Sequence, residues 1–216
     1  MDFDTARFNM VEQQIRPWDV LDFDVLDALA EIPREHFVLP EQKDYAYADM
    51  ALKLANGYTM LEPKVVARMA QGLQLNKNDN VLEIGTGSGY ATALLAILAN
   101  KVTSYDIDET QLLAAKENLA NLNHDNIECV HGDGLQLAEG QFDAIYVGGS
   151  LESIPENLKN LLNPKSGRMV AIVGAAPVQH CVLITRQDNT YTEKVLFDAL
   201  VCALQNQAQN KKTFTF

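Results

Sequence analysis

Short helical patterns occupy the amino-terminal part of the chain. Apolar residues recur at helical spacing over residues 8–15 and again over residues 25–32. Asp22 and Asp24 are candidate caps for the second helix, and Pro33 ends it. These patterns predict helices, without the alternation of strands and helices that is typical of an α/β sheet.

A third helix is predicted to begin at Pro63. Proline suits the first turn of a helix, because its missing N–H would be unpaired there anyway. Apolar residues follow at helical spacing, and a short extended stretch over residues 57–61 precedes the proline. Residues 1–79 are therefore predicted to form a helical amino-terminal extension.

Strands and helices alternate from residue 80 onwards. The predicted strands are 81–84, 102–106, 127–131, 142–147, 169–173, 181–186 and 191–200, and the predicted helices are 90–99, 109–122 and 155–162. Alternation at this pitch predicts a parallel sheet with helices on both faces. The last two strands are joined through Asp188-Asn189, which is a hairpin turn signal. We therefore predict an α/β core over residues 80–216, with a seven-stranded, mostly parallel sheet and a C-terminal antiparallel hairpin.

A glycine-rich turn joins the first strand of this sheet to the helix that follows. Gly85, Gly87 and Gly89 let the backbone approach a ligand closely, because no Cβ intervenes. The start of the helix offers unpaired N–H groups to a carboxylate or phosphate. A dinucleotide-binding loop would carry its last glycine at the position of Tyr90, so a nicotinamide cofactor is disfavoured.

Acidic residues at the ends of the first three strands complete a predicted cofactor site. Glu83 can bind an ammonium group, directly or through water, and Asp106 can accept hydrogen bonds from both hydroxyls of a ribose. Asp133 can bind the amino group of an adenine. S-adenosylmethionine (SAM) carries all of these groups and a carboxylate, so the pattern predicts a Rossmann-like class I SAM-dependent methyltransferase. The predicted cofactor-binding residues are Glu83, Gly85, Thr86, Gly87, Ser88, Gly89, Asp106, Ile107, Asp133 and Gly134.

Composition disfavours several other classes of partner. The net charge of −12 would repel phosphate backbones, and the basic pair Lys211-Lys212 is too small to offset it, so nucleic acid is not a predicted substrate. No apolar run approaches the roughly 18 residues that cross a membrane, and the amino terminus lacks signal-peptide features, which predicts a cytoplasmic protein. The three cysteines form no Cys-x-x-Cys pair, so neither a disulfide framework nor a metal site is predicted.

Seven short motifs, spread over nearly the whole chain, fit one known family. They cover residues 10–15, 32–38, 47–49, 57–63, 81–90, 132–134 and 142–145. The second contains Pro-Arg-x-x-Phe-Val and the third reads Tyr-Ala-Asp. Together they resemble the protein-L-isoaspartate O-methyltransferases. The glycine loop is shared by many methyltransferases, whereas the amino-terminal motifs are much more specific to this family.

The resemblance implies transfer of the SAM methyl group to the abnormal carboxylate of an isoaspartyl residue in a damaged protein or peptide. The resulting ester collapses to a succinimide, and hydrolysis restores some normal aspartate. No general base is required, because a carboxylate with a reference pKa of about 4 is already ionised at neutral pH. The main task of such an enzyme is to align the two reactants in a dry pocket.

Two places depart from the family pattern. Members carry a serine whose hydroxyl helps to hold the substrate, and this chain has Leu61 there. Thr59 faces the same side of an extended segment, so Thr59 and Leu61 are the candidate catalytic positions. Gly148-Gly149-Ser150 replaces the usual Thr-Ala-Ala run. Two alternatives therefore stay open: a methyltransferase of the same fold with another small-molecule or peptide substrate, and a non-catalytic SAM-binding protein.

Overall fold

The computed structural model describes residues 2–122 and 124–205. Its amino-terminal part contains α1 (Phe3–Asn9), α2 (Phe23–Glu31), the strand pair β1 (Leu52–Lys53) and β2 (Thr59–Met60), and α3 (Pro63–Leu73). A π-helical segment, Met10–Ile15, follows α1, and three short 3₁₀ turns cover Arg16–Trp18, Arg34–His36 and Pro40–Tyr45. These elements cover one face of the sheet that follows.

Two of the three predicted amino-terminal helices form where the pattern placed them. The side chain of Asp22 caps α2 by accepting from the backbone N–H groups of Asp24 at 3.0 Å and Val25 at 3.4 Å. The first predicted helix differs, because its second half is π-helical and buries Met10 and Ile15 five residues apart. Phe8, which the helical pattern placed on the apolar face, is 63% exposed. The prediction that Phe8 lies on the buried, apolar face of this helix is therefore wrong.

The remaining elements alternate along the chain as predicted. They are β3 (Asn80–Ile84), α4 (Tyr90–Leu98), β4 (Lys101–Asp106), α5 (Glu109–Ala120), β5 (Ile127–His131), β6 (Ala144–Leu151), α6 (Glu156–Asn160), β7 (Arg168–Ala175), β8 (Val178–Gln187) and β9 (Thr190–Asp198). The seven strands pair in the order β5-β4-β3-β6-β7-β8-β9. The first five are parallel, and β8 is antiparallel to both β7 and β9. The predicted fold class is confirmed, and the order of the last strands, which the sequence left open, is now defined.

Both faces of the sheet are covered by apolar residues. Val81, Ala144 and Val170 face α3, α4 and the amino-terminal elements, and the same apolar cluster includes Ile15 and Leu29. Alternate residues of the same strands face the opposite way, into a second cluster. The amino-terminal segment therefore shares one continuous core with the sheet. Among the described residues, no helix combines the length and apolarity needed to cross a membrane.

The topology leaves a crevice at the carboxyl ends of the central strands. The chain runs from β3 outward to β4 and β5, then returns to β6 on the other side of β3. Loops that leave neighbouring strands in opposite directions separate at such a switch point, and ligands of open α/β sheets bind there. The ends of β3 and β6 therefore define where a ligand site is expected.

Candidate functional site

The turn after β3 has a backbone that only glycine adopts readily. Gly85, Gly87 and Gly89 have φ values of 91°, 55° and 87°. The N–H of Gly85 donates to the carbonyl oxygen of Tyr105 at 2.8 Å, and the N–H of Gly89 donates to the carbonyl oxygen of Thr86 at 2.9 Å. These bonds hold the turn against the end of β4.

A cavity of about 650 Å³ opens beside this turn. This volume includes the open mouth of the cavity. It is lined by Asn56, Tyr58, Thr59, Ile84, Gly85, Gly87, Tyr105, Asp106, Ile107, Asp108, Gly132, Asp133, Gly134, Leu135, Gly148, Gly149, Cys202, Ala203, Leu204 and Gln205. Six of the ten predicted cofactor-binding residues are in this wall: Gly85, Gly87, Asp106, Ile107, Asp133 and Gly134. We call it the cofactor cavity.

Asp106 lies at the carboxyl end of β4 with one N–H bonded to each carboxylate oxygen. Its Oδ2 accepts from the N–H of Gly87 at 2.9 Å, and its Oδ1 accepts from the N–H of Asp108 at 3.0 Å. Burial raises the pKa of Asp106 above its ordinary value, and these two N–H groups oppose that rise. Because a carboxylate offers about four lone-pair sites, acceptor capacity remains for two ligand hydroxyls.

The far end of the cofactor cavity is formed by the turn after β5. The Asp133 side chain accepts from the N–H of Leu135 at 3.0 Å and so caps this turn. A Cβ on Gly134 would lie 3.0 Å from the Cβ of Tyr105 and 3.1 Å from a side-chain carbon of Ile84. Glycine is therefore needed here, because it allows this turn to pack closely against β3 and β4.

The other four predicted cofactor-binding residues have different surroundings. Thr86 and Ser88 line a second cavity, and neither Glu83 nor Gly89 is among the described residues that line these two cavities. A Cβ on Gly89 would lie 3.0 Å from Leu119, so this glycine allows α4 and α5 to pack closely. A direct ligand contact stays a prediction for these four residues.

Glu83 is fully buried within a network of hydroxyl groups. Its Oε2 accepts from Thr92 at 2.6 Å and from Ser104 at 2.5 Å, and Ser104 shares a hydrogen bond of 2.6 Å with Thr86. Its Oε1 makes no hydrogen bond with any described residue. Burial raises the pKa of Glu83 to about 7, although the two hydroxyls favour the ionised form. The Glu83 side chain therefore supports the glycine turn through Ser104 and Thr86.

Replacing Glu83 by glutamine is expected to reduce the dependence of stability on pH. With a folded pKa of about 7 against 4.5 in the unfolded chain, the folded protein keeps a proton that the unfolded chain releases. The free energy of unfolding therefore falls as pH rises through this window, by up to about 3 kcal/mol. Glu83→Gln keeps an oxygen for Thr92 and Ser104 but cannot titrate. Urea denaturation between about pH 5 and pH 8 measures the difference, and equal slopes for both proteins would contradict the assignment.

A second cavity of about 360 Å³ adjoins the first and contains both candidate catalytic positions. It is lined by Thr59, Met60, Leu61, Val66, Gly85, Thr86, Gly87, Ser88, Tyr90, Ala91, Tyr146 and Gly148. Thr59, Gly85, Gly87 and Gly148 also line the cofactor cavity. We call the second one the acceptor cavity, because a group inside it would meet a cofactor across the glycine turn.

The two candidate catalytic side chains have unlike surroundings. The hydroxyl of Thr59 donates to the sulfur of Cys202 at 3.3 Å. Leu61 is 8% exposed, and its carbonyl oxygen accepts from Nη2 of Arg34 at 3.1 Å. Arg34 itself is completely buried and also donates from Nε to the carbonyl oxygen of Ala46 at 2.9 Å. Arg34, noted in the sequence only as part of a motif, thus positions the strand segment that carries Leu61.

The carboxyl-terminal segment over residues 201–205 is a part of the site that sequence reasoning missed. The N–H of Ser150 donates to the carbonyl oxygen of Cys202 at 3.0 Å, and the N–H of Leu204 donates to that of Ser150 at 2.9 Å. A Cβ on Gly149 would lie 2.9 Å from Leu204, and a Cβ on Gly85 would lie 2.8 Å from it. The departure from the family pattern at Gly148-Gly149-Ser150 therefore makes room for this segment.

Sequence comparisons with known proteins find relatives over most of this chain. A profile of the protein-L-isoaspartate(D-aspartate) O-methyltransferase family matches residues 7–206. A protein-L-isoaspartate O-methyltransferase from Bradyrhizobium sp. (strain ORS 278) is 42% identical over 192 residues, which cover 88% of this chain and 89% of that protein. One from Vibrio vulnificus (strain YJ016) is 40% identical over 179 residues, which cover 82% and 85% respectively.

A solved structure supports the fold independently. It is a protein-L-isoaspartate O-methyltransferase from Plasmodium falciparum in complex with S-adenosyl-L-homocysteine, 24% identical, with a TM-score of 0.81 over 92% of this chain and 98% of that one. At this identity the likeness shows the fold. The family profile and the relatives above carry the assignment further: the chain belongs to the protein-L-isoaspartate(D-aspartate) O-methyltransferase family of SAM-dependent methyltransferases.

Proposed function

We propose that this protein methylates the carboxylate of isoaspartyl residues in damaged proteins or peptides. The observation that carries the proposal is the pair of adjoining cavities, which share the glycine turn, Thr59 and Gly148. One cavity has polar groups that suit a nucleoside cofactor, and the other is smaller and mostly apolar. Such an arrangement brings a donor and an acceptor together while excluding water.

The residues of the cofactor cavity fit SAM group by group. Asp106 keeps acceptor sites that suit the ribose hydroxyls, and we assign Asp133, in the wall of the same cavity, to the adenine amino group. Gly85 and Gly87 allow close approach of the amino-acid end of the cofactor to the turn. When bound, SAM supplies a methyl group activated by its sulfonium. We assign Glu83 a supporting role beneath the turn.

The acceptor side of the site belongs to the segment over residues 1–79, which we propose as the substrate-side extension. β2 and the residues after it form one wall of the acceptor cavity, and Arg34 holds that wall through the Leu61 carbonyl. A substrate carboxylate is already ionised at neutral pH, so these residues need only orient it and keep water out. The substrate must enter as an exposed, flexible part of a protein or as a peptide, because the acceptor cavity admits little more than a side chain.

The direct test is transfer of labelled methyl from SAM to an isoaspartyl peptide. Its twin with normal aspartate is the matched control, and calorimetric titration of SAM measures cofactor binding separately. We expect labelling of the isoaspartyl peptide alone. Labelling of both peptides equally, or of neither while SAM binds, would refute the proposed substrate.

A second acceptor class is favoured by one observation, the apolar side chain of Leu61 in the acceptor cavity. A leucine cannot donate a hydrogen bond, and burial of a carboxylate without a donor is costly. A methyltransferase of the same fold with a less polar substrate would suit this wall. SAM binding without labelling of either peptide supports that alternative, or a SAM-binding protein that has lost catalysis.

A further inference from the structure

One tyrosine of the acceptor cavity has a hydroxyl group without a partner. Tyr146 lies in β6, its side chain is completely buried, and it is part of the cavity wall. Its hydroxyl makes no hydrogen bond with any described residue. Buried hydroxyls of native proteins almost always have a partner, so one without a protein partner beside a cavity is available to a group that enters the cavity.

The other small hydroxyl groups around this cavity are already engaged. Thr86 shares a hydrogen bond of 2.6 Å with Ser104, and Ser88 accepts from the N–H of Tyr90 at 3.3 Å. Thr59 donates to Cys202 at 3.3 Å. The hydroxyl groups of Thr86 and Thr59 are therefore engaged with protein partners, whereas the bond of Ser88 uses only an acceptor site of its oxygen.

A second unpaired hydroxyl, that of Tyr90, has charged surroundings. The Arg34 guanidinium lies 4.4 Å from the centre of the Tyr90 ring and is the charge that acts most strongly on the Tyr90 hydroxyl, ahead of Arg7 and Glu35. That hydroxyl thus belongs to the buried polar cluster of the amino-terminal segment. Tyr146 instead feels Glu83 and Cys181, both in the sheet.

The rest of the cavity wall offers a carboxylate little compensation. Met60, Leu61, Val66 and Ala91 are apolar. A carboxylate that enters must find a donor or lose the free energy of its hydration. A neutral phenol O–H is a suitable donor, because hydrogen bonds to charged groups are stronger than those between neutral groups.

We propose that the Tyr146 hydroxyl donates a hydrogen bond to the acceptor carboxylate and is the residue that positions it in the acceptor cavity. This inference rests on the proposed function. It assigns the polar contact that Leu61 cannot make to another side chain of the cavity wall, in β6 instead of the segment after β2. Burial and the nearby Glu83 raise the pKa of Tyr146 well above its ordinary value, so the phenol keeps its proton at neutral pH.

The kinetic signature of this contact differs from that of a catalytic acid. As an oxygen of the carboxylate gains the methyl group it loses negative charge, so a hydrogen bond from Tyr146 is strongest before transfer. Its removal should weaken peptide binding more than it slows the chemical step. The effect should therefore appear mainly in KM for the peptide.

The test compares Tyr146→Phe with the parent protein in isoaspartyl methylation and in peptide binding. We expect KM for the isoaspartyl peptide to rise about 10- to 100-fold, the range for losing a hydrogen bond to a charged group, with a smaller change in kcat. Titration of the same peptide into the protein saturated with S-adenosylhomocysteine should show an equal loss of affinity. Affinity for SAM and the melting temperature should change little.

Two further variants make the test specific. Tyr191→Phe removes a phenol hydroxyl in β9 that donates to the carbonyl oxygen of Lys159 at 3.4 Å and lines neither cavity, so its KM should stay near the parent value. Leu61→Ser added to Tyr146→Phe restores a hydroxyl to the same cavity and should recover much of the lost affinity.

The outcomes separate the two proposals. A Tyr146→Phe protein with the KM and peptide affinity of the parent overturns the role of Tyr146 and leaves isoaspartyl methylation intact. A loss of peptide affinity matched by an equal loss of SAM affinity or by a lowered melting temperature also overturns it, because the role would then be structural. A parent protein that binds SAM and methylates no isoaspartyl peptide overturns both proposals.

Discussion

Replacing Asp106 by alanine is expected to weaken SAM binding by at least about 100-fold, as estimated from two hydrogen bonds to a charged acceptor. Asp106 is the carboxylate whose free acceptor sites fit the ribose hydroxyls, and it also holds the N–H of Gly87 in the glycine turn at 2.9 Å. Alanine removes both contributions. Isothermal titration of SAM measures the dissociation constant, and thermal unfolding checks that the apo protein still folds.

Two controls distinguish a direct contact from a general effect of charge. Asp106→Asn keeps one acceptor oxygen and should lose less affinity than the alanine variant. Glu109→Gln removes a charge three residues away, on an exposed side chain that lines neither cavity. It should change affinity by about threefold or less, since screened charges near a surface interact weakly. Unchanged SAM affinity in Asp106→Ala would mean that the cofactor binds elsewhere.

Replacing Arg34 by alanine is expected to lower the free energy of unfolding by about 3 to 5 kcal/mol. Arg34 is completely buried, fills space against the Tyr90 ring, and donates to the carbonyl oxygens of Ala46 and Leu61. Alanine leaves a cavity and two buried carbonyl groups without donors. Relief of the buried charge offsets part of this loss, because desolvation of an ion is costly, but it does not refill the space. Urea denaturation measures the change.

Two other arginine variants divide this effect into its parts. Arg34→Met keeps most of the volume and removes the charge, so its remaining deficit reports the two carbonyl groups. Arg16→Ala removes a half-exposed arginine that pairs with Glu12 and should cost only about 0.5 kcal/mol. If the free energy of unfolding of Arg34→Ala lies within about 1 kcal/mol of the parent value, the contacts of Arg34 with the two carbonyl groups are dispensable for stability. Because Arg34 holds the backbone of Leu61, KM for the peptide should rise as well.

Sequence patterns predicted the sheet and the cofactor cavity better than the acceptor cavity. The strand and helix alternation is local, because each element buries one face and so shows its own period. The residues after β3, β4 and β5 come together wherever neighbouring parallel strands end at one edge, so Asp106 and Asp133 could be placed in one wall from spacing alone. For the same reason the prediction did not depend on side-chain packing.

Side-chain direction limited the prediction at the glycine turn. Glu83 stands next to the turn in the sequence, yet it points to the face of β3 that α4 covers, where Thr92 and Ser104 bind it. Periodicity tells which residues share a face and does not tell which element covers that face. A carboxylate at a strand end can therefore support a loop through its neighbours, and a direct ligand contact of Glu83 stays a prediction.

The sequence by itself determined the fold class, the glycine turn and the family, because each of these is specified by patterns of a few consecutive residues. Only the tertiary structure decided how the two cavities are closed. Leu204 packs against Gly85 and Gly149, and Tyr146 shares a cavity with Leu61, although each pair is far apart along the chain. Such contacts follow from the packing of whole elements around a common core, in which each position is set by many small contributions at once. They depend on the arrangement of the complete fold, which no local pattern contains.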